Sequence, residues 1–508
     1  MTRTFLSVSD FLLQGKDPSR PALRFVKEEY TYGDLQLLSE VIAKAVLRMG
    51  GQKGDRVVLL SENSWFWVAS YLGVIRAGLV CVPLAPGLPA GELLQVLQST
   101  DARIVFAQAG CVRRDEAVFA GVHLVTDREL PRLAAPASQD SFASLSSAGL
   151  PADTTFPSVG PDDLAALMFT SGSTAKSRGV MVSHANIVAN TESIIESLGL
   201  TARDRIMVVL PFHYCFGASL LHTHLRLGAE LVVDSRFMFP ETILQRLSDT
   251  QCTGFAGVPS HFQILLRNSS LKTRRFPCLR YVQQAGGGLP VPFIRELRDA
   301  LPTTNVFIMY GQTEATARLS CMPPEQLDRR PGSIGKGIPG VALRVVDDAG
   351  SDVGVGEIGE IIAAGDNITQ GYWRNTPDPA GPFRGRWLYT GDLATVDEDG
   401  FIYIMGRARD FLKCGGERIS CLQIEEQLLE FEDLLEAVVV GMPDDVLGEA
   451  VKAFVVPRPQ AGNDLKDRLL LFCRARFAPR FVPKEIVVTR ALPKNSGGKV
   501  QRSLLKDR

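Results

Sequence analysis

Apolar residues recur along the first two thirds of the chain in two alternating rhythms. Runs such as Ala22–Val26, Arg56–Leu60, Leu79–Leu84, Arg103–Ala107, Leu164–Met168, Arg205–Leu210, Glu230–Val233, Gly254–Ser260, Arg280–Gln284 and Asn305–Tyr310 have the length of buried strands. Between them apolar positions return every three or four residues. The clearest case places Leu35, Leu38, Ile42, Ala45, Val46 and Met49 on one helix face, opened by Thr31 and Gly33-Asp34 and stopped by Gly50-Gly51. Helices are likewise expected over Trp65–Ile75, Ala90–Gln98, His184–Leu198, Ala218–Leu227, Glu241–Leu247 and Val291–Leu301. Strands alternating with helices predict a parallel sheet covered on both faces, which binds ligands beyond the carboxyl ends of its strands.

The texture changes twice. After Pro339, short strands with turns are expected at Ala342–Asp347, Glu357–Ala363, Trp387–Tyr389, Leu393–Val396 and Phe401–Ile404, a β-rich subdomain. Beyond Gly406 come a glycine loop, a helix at Gln423–Leu429, strands at Ala437–Val440 and Val451–Val456, a further helix and a basic tail. The expected fold is therefore α/β. A large N-terminal domain of parallel α/β sheets plus the β-rich subdomain occupies residues 1–406, and a small α+β C-terminal domain occupies 407–508. The Ala-, Ser-, Pro- and Asp-rich stretch from Asp127 to Pro161 reads as a surface crossing.

Composition narrows the classes. The 508 residues are 45% hydrophobic and 22% charged, with a net charge of −1, so no global field recruits nucleic acid or an acidic membrane. Nine cysteines, with no Cys-x-x-Cys pair, indicate thiols in a reducing compartment rather than a disulfide framework. No run long enough to span a membrane and no signal-peptide layout is seen, and a cytoplasmic location is expected.

Candidate chemistry is concentrated in a few stretches. Thr170-Ser171-Gly172-Ser173-Thr174, followed by Lys176 and Arg178, offers hydroxyls, backbone N–H groups and positive charge to an anion such as phosphate. The stretch alone equally describes a polar surface loop. It lacks the Gly-Lys-Ser/Thr of the common nucleotide P-loop. Gly286-Gly287-Gly288 permits close approach to a flat ring, or makes a turn needing positive φ. Tyr310-Gly311-Gln312-Thr313-Glu314 supplies an aromatic face, a hydroxyl and a carboxylate at a strand end, or a polar turn. Asp392, in Tyr389-Thr390-Gly391-Asp392, is placed after a strand, where it can accept from ribose hydroxyls or shape a turn. Lys499, in Pro493-Lys494-Asn495-Ser496-Gly497-Gly498-Lys499, lies on a glycine turn near the C-terminus, poised to enter and leave a site or simply solvated.

In order and spacing these stretches, with Gly406-Arg407-Ala408-Arg409-Asp410, resemble the motifs of the adenylate-forming superfamily: acyl-CoA synthetases, adenylation domains of nonribosomal peptide synthetases and firefly luciferase. The resemblance runs from Thr31-Tyr32 to Arg502. It implies that Thr170, Ser171, Gly172, Ser173, Thr174 and Arg178 hold the phosphates of ATP. Gly286, Gly287, Gly288, Tyr310 and Gly311 enclose adenine. Thr313 contacts phosphate, Glu314 supports Mg²⁺, and Asp392 and Arg407 hold the ribose. Arg409 stands at the hinge, Gly415 and Gly416 line the pantetheine tunnel, and Lys499 is the catalytic lysine. The phosphate loop departs from the usual Thr-Gly-x-Pro-Lys-Gly, with Ala175, Ser177 and Arg178 in its place.

The implied reaction has two halves. A carboxylate attacks the α-phosphorus of Mg-ATP and displaces pyrophosphate; a pantetheine thiol then displaces AMP after the small domain turns about residues 407–410. Pro211-Phe212-His213-Tyr214-Cys215-Phe216-Gly217 resembles the acyl-pocket segment, which gives His213, Phe216 and Gly217 to the substrate, although His213 serves equally as a core histidine. No Asp lies between Leu210 and Leu221 to pair with an α-ammonium, so a fatty or aryl acid is expected over an amino acid. His222-x-His224 is a weak metal signal, since residues two apart do not share a helix face. The acceptor is expected to be coenzyme A, with a separate carrier protein's phosphopantetheine as the alternative. A nucleotide-binding pseudoenzyme with an impaired phosphate loop is the reading from a different class.

Overall fold

The computed structural model describes residues 6–112, 116–130, 155–170, 178–374, 378, 381–407, 410–414, 417–458, 460–462, 464–494 and 500–506. Three sheets organise them. In the six-stranded sheet, His123–Thr126, Ile104–Ala107, Arg56–Leu60, Val80–Leu84 and Leu164–Thr170 are parallel neighbours, and Arg178–Ser183 closes the edge antiparallel. In the fourteen-stranded sheet, Pro21–Arg24, Glu230–Val233, Arg205–Val208, Gly254–Gly257, Tyr281–Gln284 and Asn305–Tyr310 run parallel. From there pairing turns antiparallel through Ser320–Met322, Ser333–Gly337, Ile402–Arg407, Trp387–Val396, Gly359–Ala364 and Ala342–Val346. The β-rich region is thus hydrogen-bonded into the parallel sheet.

One apolar core joins the two sheets. It takes Val57 and Leu59 from the smaller, Ile206 and Val232 from the larger, and Trp67, Tyr71, Ile187 and Leu221 from the intervening helices. The helix Tyr32–Arg48 starts with a reciprocal cap between Thr31 and Asp34, a local signal of the kind that contributes about 1 kcal/mol. The C-terminal region has its own five-stranded sheet and its own core, with Leu412, Ile424, Val439, Val455 and Leu469 at its centre.

Three differences from the sequence reading bear on the site, each for a local reason. Arg178–Ser183, expected only as the tail of a loop, is a strand that buries Val180 and Val182, so Thr170 faces Arg178 across a hairpin. The helix expected from Ala218 begins at Cys215 and runs to Leu227. Gly217, a residue that ordinarily argues against helix, belongs to its first turn because a Cβ there would stand 2.0 Å from the Pro211 carbonyl oxygen. Trp387–Tyr389 and Leu393–Val396 are one strand, Trp387–Val396, kinked where Gly391 takes φ 75° and the register slips past Leu393. Asp392 therefore sits inside a strand rather than after one. The neighbouring strand extends to Arg407, which pairs with Asp392. Among the described residues no helix is long and apolar enough to cross a membrane. Most of the Asp127–Pro161 crossing lies outside the described residues.

Candidate active site

The site is built on the loop that joins Asn305–Tyr310 to Ser320–Met322. The two strands are antiparallel neighbours, and Leu319 N–H closes the loop on the Tyr310 carbonyl at 2.9 Å. Gly311 is required by proximity: a Cβ would lie 2.0 Å from the Ala317 carbonyl oxygen. Thr316 takes φ 65°, ψ −57°, and the Ala317 N–H donates to the Ala315 carbonyl at 2.7 Å, a strained three-residue turn. Its hydroxyl donates to the Asn367 carbonyl at 2.7 Å, so the surroundings hold the strain in place. Such strain gathers where a loop has to present side chains in a fixed direction.

Two polar clusters flank this loop. In the first, the Tyr310 hydroxyl donates to Asp392 Oδ2 at 2.6 Å, and Arg407 Nε lies 3.2 Å from Oδ1. Burial, reinforced by the Asp392 charge, pushes the Tyr310 phenol well above its usual range, so it stays a donor. Each Asp392 oxygen retains a lone pair for a further donor. In the second, the Tyr372 hydroxyl donates to Glu314 Oε1 at 2.7 Å, while the Arg178 guanidinium lies 4.2 Å from the Tyr372 ring centre. Thr369 fixes the Glu314 carbonyl through its N–H at 3.0 Å and its hydroxyl at 2.9 Å. Arg178 belongs to the six-stranded sheet and Glu314 to the loop between two strands of the long one, so Tyr372 links the two. Among the described residues only Oε1 of Glu314 is engaged, and a carboxylate so placed fits a hard divalent cation such as Mg²⁺.

On the other side of the loop the Thr313 hydroxyl donates to Cys215 Sγ at 3.6 Å. Burial raises the Cys215 thiol, which is therefore neutral. Beyond it is a cavity of about 20 Å³, room for roughly one water molecule, lined by Met168, Asn190, Cys215, Ser219, His222 and Thr316 among others. Among the described residues no carboxylate lines it. At its end the Tyr71 hydroxyl and His222 Nε2 lie 2.9 Å apart, and burial lowers His222 to about 3, keeping it neutral. His224 turns away to Tyr281, 2.9 Å from its hydroxyl, so the two histidines do not converge on a metal.

His213, Phe216 and Gly217 do not line the cavity. His213 packs on Tyr214 at 4.7 Å, and burial lowers it to about 4. Phe216 is buried beneath the Arg318 guanidinium, 4.0 Å from its ring centre. The Gly286–Gly288 turn is exposed, with φ 85° at Gly286, and the Gln284 amide donates to the Gly287 carbonyl at 2.8 Å. Ser171–Thr174, Arg409, Gly415, Gly416 and Lys499 lie outside the described residues. Sequence reasoning missed Tyr372, Cys215 and Arg318. Gly371-Tyr372 carried a faint signal, a glycine with φ 110° whose carbonyl accepts from Met181 N–H at 2.9 Å.

Residues 14–373 match the AMP-binding enzyme family, and residues 423–499 match the AMP-binding enzyme C-terminal domain. The chain belongs to the AMP-binding enzyme family. By class it is an AMP-forming acid–thiol ligase, with the large and small parts of that fold. Among curated AMP-binding enzymes, it is 30% identical to the acyl-CoA ligase sidI of Aspergillus fumigatus, over 93% of this chain and 85% of that one. It is 29% identical to the long-chain-fatty-acid–CoA ligase of Salmonella typhimurium, over 96% and 91%. Among solved structures, the o-succinylbenzoate CoA synthetase MenE of Bacillus subtilis, in complex with its acyl-adenylate intermediate, superposes with a TM-score of 0.85 at 26% identity, over 98% of both chains.

Proposed function

We propose that this AMP-binding enzyme activates a fatty or aryl carboxylic acid with ATP and transfers the acyl group to the thiol of coenzyme A. The observation that carries the reading is the convergence of Tyr310, Asp392 and Arg407 beside Thr313 and Glu314, at the carboxyl end of the parallel strands. Tyr310 covers adenine, and Asp392, pre-charged and aimed by Arg407, accepts from the ribose hydroxyls. Thr170–Thr174 and Arg178 take the phosphates, with Thr313 beside them. Glu314, oriented by Tyr372, would hold Mg²⁺, which supplies positive charge to the phosphate oxygens. An acid carboxylate attacks the α-phosphorus in line, the bond to pyrophosphate breaks, and Lys499 stabilises the charge that builds on the phosphoryl oxygens. The thiol then attacks the acyl carbon and AMP leaves. Rotation of the small domain about residues 407–410 clears Lys499 from the thiol's path.

The relatives name acids from long-chain fatty acids to o-succinylbenzoate, so likeness alone selects no substrate. The absence of a carboxylate among the cavity's described lining residues speaks against an amino acid, whose ammonium would be buried unpaired. The relatives' names support coenzyme A as acceptor.

The test is carboxylate-dependent exchange of pyrophosphate into ATP across fatty, aryl and amino acids, followed by addition of coenzyme A or a carrier protein. Exchange that vanishes in Lys499→Ala, with acyl-CoA formed on adding coenzyme A, is the expected result. ATP binding without exchange for any acid would replace this reading with a non-catalytic nucleotide binder.

A further inference from the structure

Arg318 is among the largest fully buried side chains of the molecule, 2% exposed, yet among the described residues it forms no ion pair with a carboxylate. Its nearest electrostatic neighbours are the thiols of Cys215 and Cys321. Burial draws the guanidinium below its usual range, although an arginine retains its charge at neutral pH. A cation taken out of water without a counter-ion is strongly disfavoured. Phe216 relieves part of that through its ring, 4.0 Å away, but a ring covers the flat face and does not consume N–H donors lying in the plane. Two of those donors, Nε and Nη2, are buried with no partner among the described residues. They are not an arbitrary pair. Together they form one edge of the guanidinium, the two parallel N–H groups that a carboxylate engages in bidentate fashion.

Arg318 does not itself line the cavity, but the residues around it do. Cys215, next to Phe216, lines the cavity and accepts from the Thr313 hydroxyl. Thr316 and Ala317, the residues before Arg318, line it too. The backbone of Arg318 is clamped: its N–H donates to Asn190 Oδ1 at 3.2 Å, and its carbonyl accepts from Asn190 at 3.0 Å and Asn367 at 2.9 Å. One strained loop thus carries Thr313 and Glu314 at one end and a fixed, unanswered cation at the other. Resting on the acid-activation reading above, we propose that the substrate is a short dicarboxylic acid, whose second carboxylate is received by the Nε–Nη2 edge of Arg318 while the first is adenylated beside Thr313.

The experiment measures kcat/KM of the full chain, with ATP and coenzyme A, for matched pairs: succinate and butyrate, glutarate and valerate, phthalate and benzoate. The wild type is expected to favour the diacid of at least one pair by roughly 100-fold. Arg318→Met removes that preference and leaves the affinity for ATP unchanged. Arg318→Lys, which keeps the charge but loses the two-pronged edge, retains the preference at reduced kcat/KM and serves if the methionine variant does not fold. The proposal is overturned if the wild type uses the monoacid of every pair as well as the diacid. Equal loss for both acids in Arg318→Met, or loss of ATP binding, overturns it as well, because Arg318 would then be structural or part of the nucleotide site. If no acid of any kind turns over, the acid-activation reading fails, and calorimetric binding of the same acids decides this one: diacid binding lost in Arg318→Met upholds it, and no diacid binding to the wild type overturns it.

Discussion

Asp392 shows how much a single side chain can be asked to do. Its two oxygens take Tyr310 and Arg407, so replacement by asparagine removes a charge and also turns one acceptor into a donor facing Arg407. Asp392→Asn is expected to lower kcat/KM for ATP by roughly 100-fold, while far-UV circular dichroism is unchanged, since hydrogen bonds to charged groups contribute about 1.5–3 kcal/mol. Tyr372 separates two contributions that the sequence did not reveal. Tyr372→Phe deletes the donor to Glu314 but keeps the ring beneath Arg178, and should raise the Mg²⁺ requirement about tenfold. Tyr372→Ala deletes both and should also raise KM for ATP. Equal KM values for ATP in the two variants would dismiss the ring's contribution. Such partners are silent in sequence because they are distant in the chain: Tyr372 meets a residue 58 positions earlier, and Tyr310 meets one 82 positions later. Arg318 gave still less sign, since an isolated arginine ordinarily belongs to the surface.

At the scale of elements, legibility followed periodicity. The parallel strands and their helices were readable because each buries a face or a whole run, and the pattern records that burial. The misreadings sit where backbone geometry overrides propensity. Gly217 reads as a breaker, yet the helix Cys215–Leu227 contains it because its first turn lies against Pro211. Gly217→Ala should therefore destabilise the chain by about 1–3 kcal/mol, despite alanine's better helix propensity, and displace Cys215 from Thr313. A lowered Tm with raised KM for the acid would show it; a raised Tm would refute the packing argument. Gly391 reads as a gap between two strands, whereas its φ of 75° kinks one continuous strand and turns Asp392 toward Tyr310.

The molecule carries three fully buried histidines, His184, His222 and His224, and two partly buried ones, His213 and His261, which makes its stability sensitive to mild acid. An unfolded histidine titrates near 6.5, whereas burial holds His184, His213, His224 and His261 at about 4 and His222 at about 3. Above pH 6.5 both states are neutral and this contribution is fully present. As pH falls from 6.5 toward 4 the unfolded chain binds protons that the folded chain refuses, so stability drops, by up to about 1.4 kcal/mol per pH unit for each histidine. Tm should be level above about pH 7 and fall below it, and His222→Gln should flatten the fall. An unchanged slope in that variant would mean that His222 accepts its proton in the folded state. The same global view bears on the loop that carries Arg318. Asn190 and Asn367 grip the main chain at position 318 and make no demand on the side chain. The position is thus a socket whose plug can be exchanged in one mutational step, so descendants of this chain could move between charged and apolar acids while inheriting the nucleotide machinery intact.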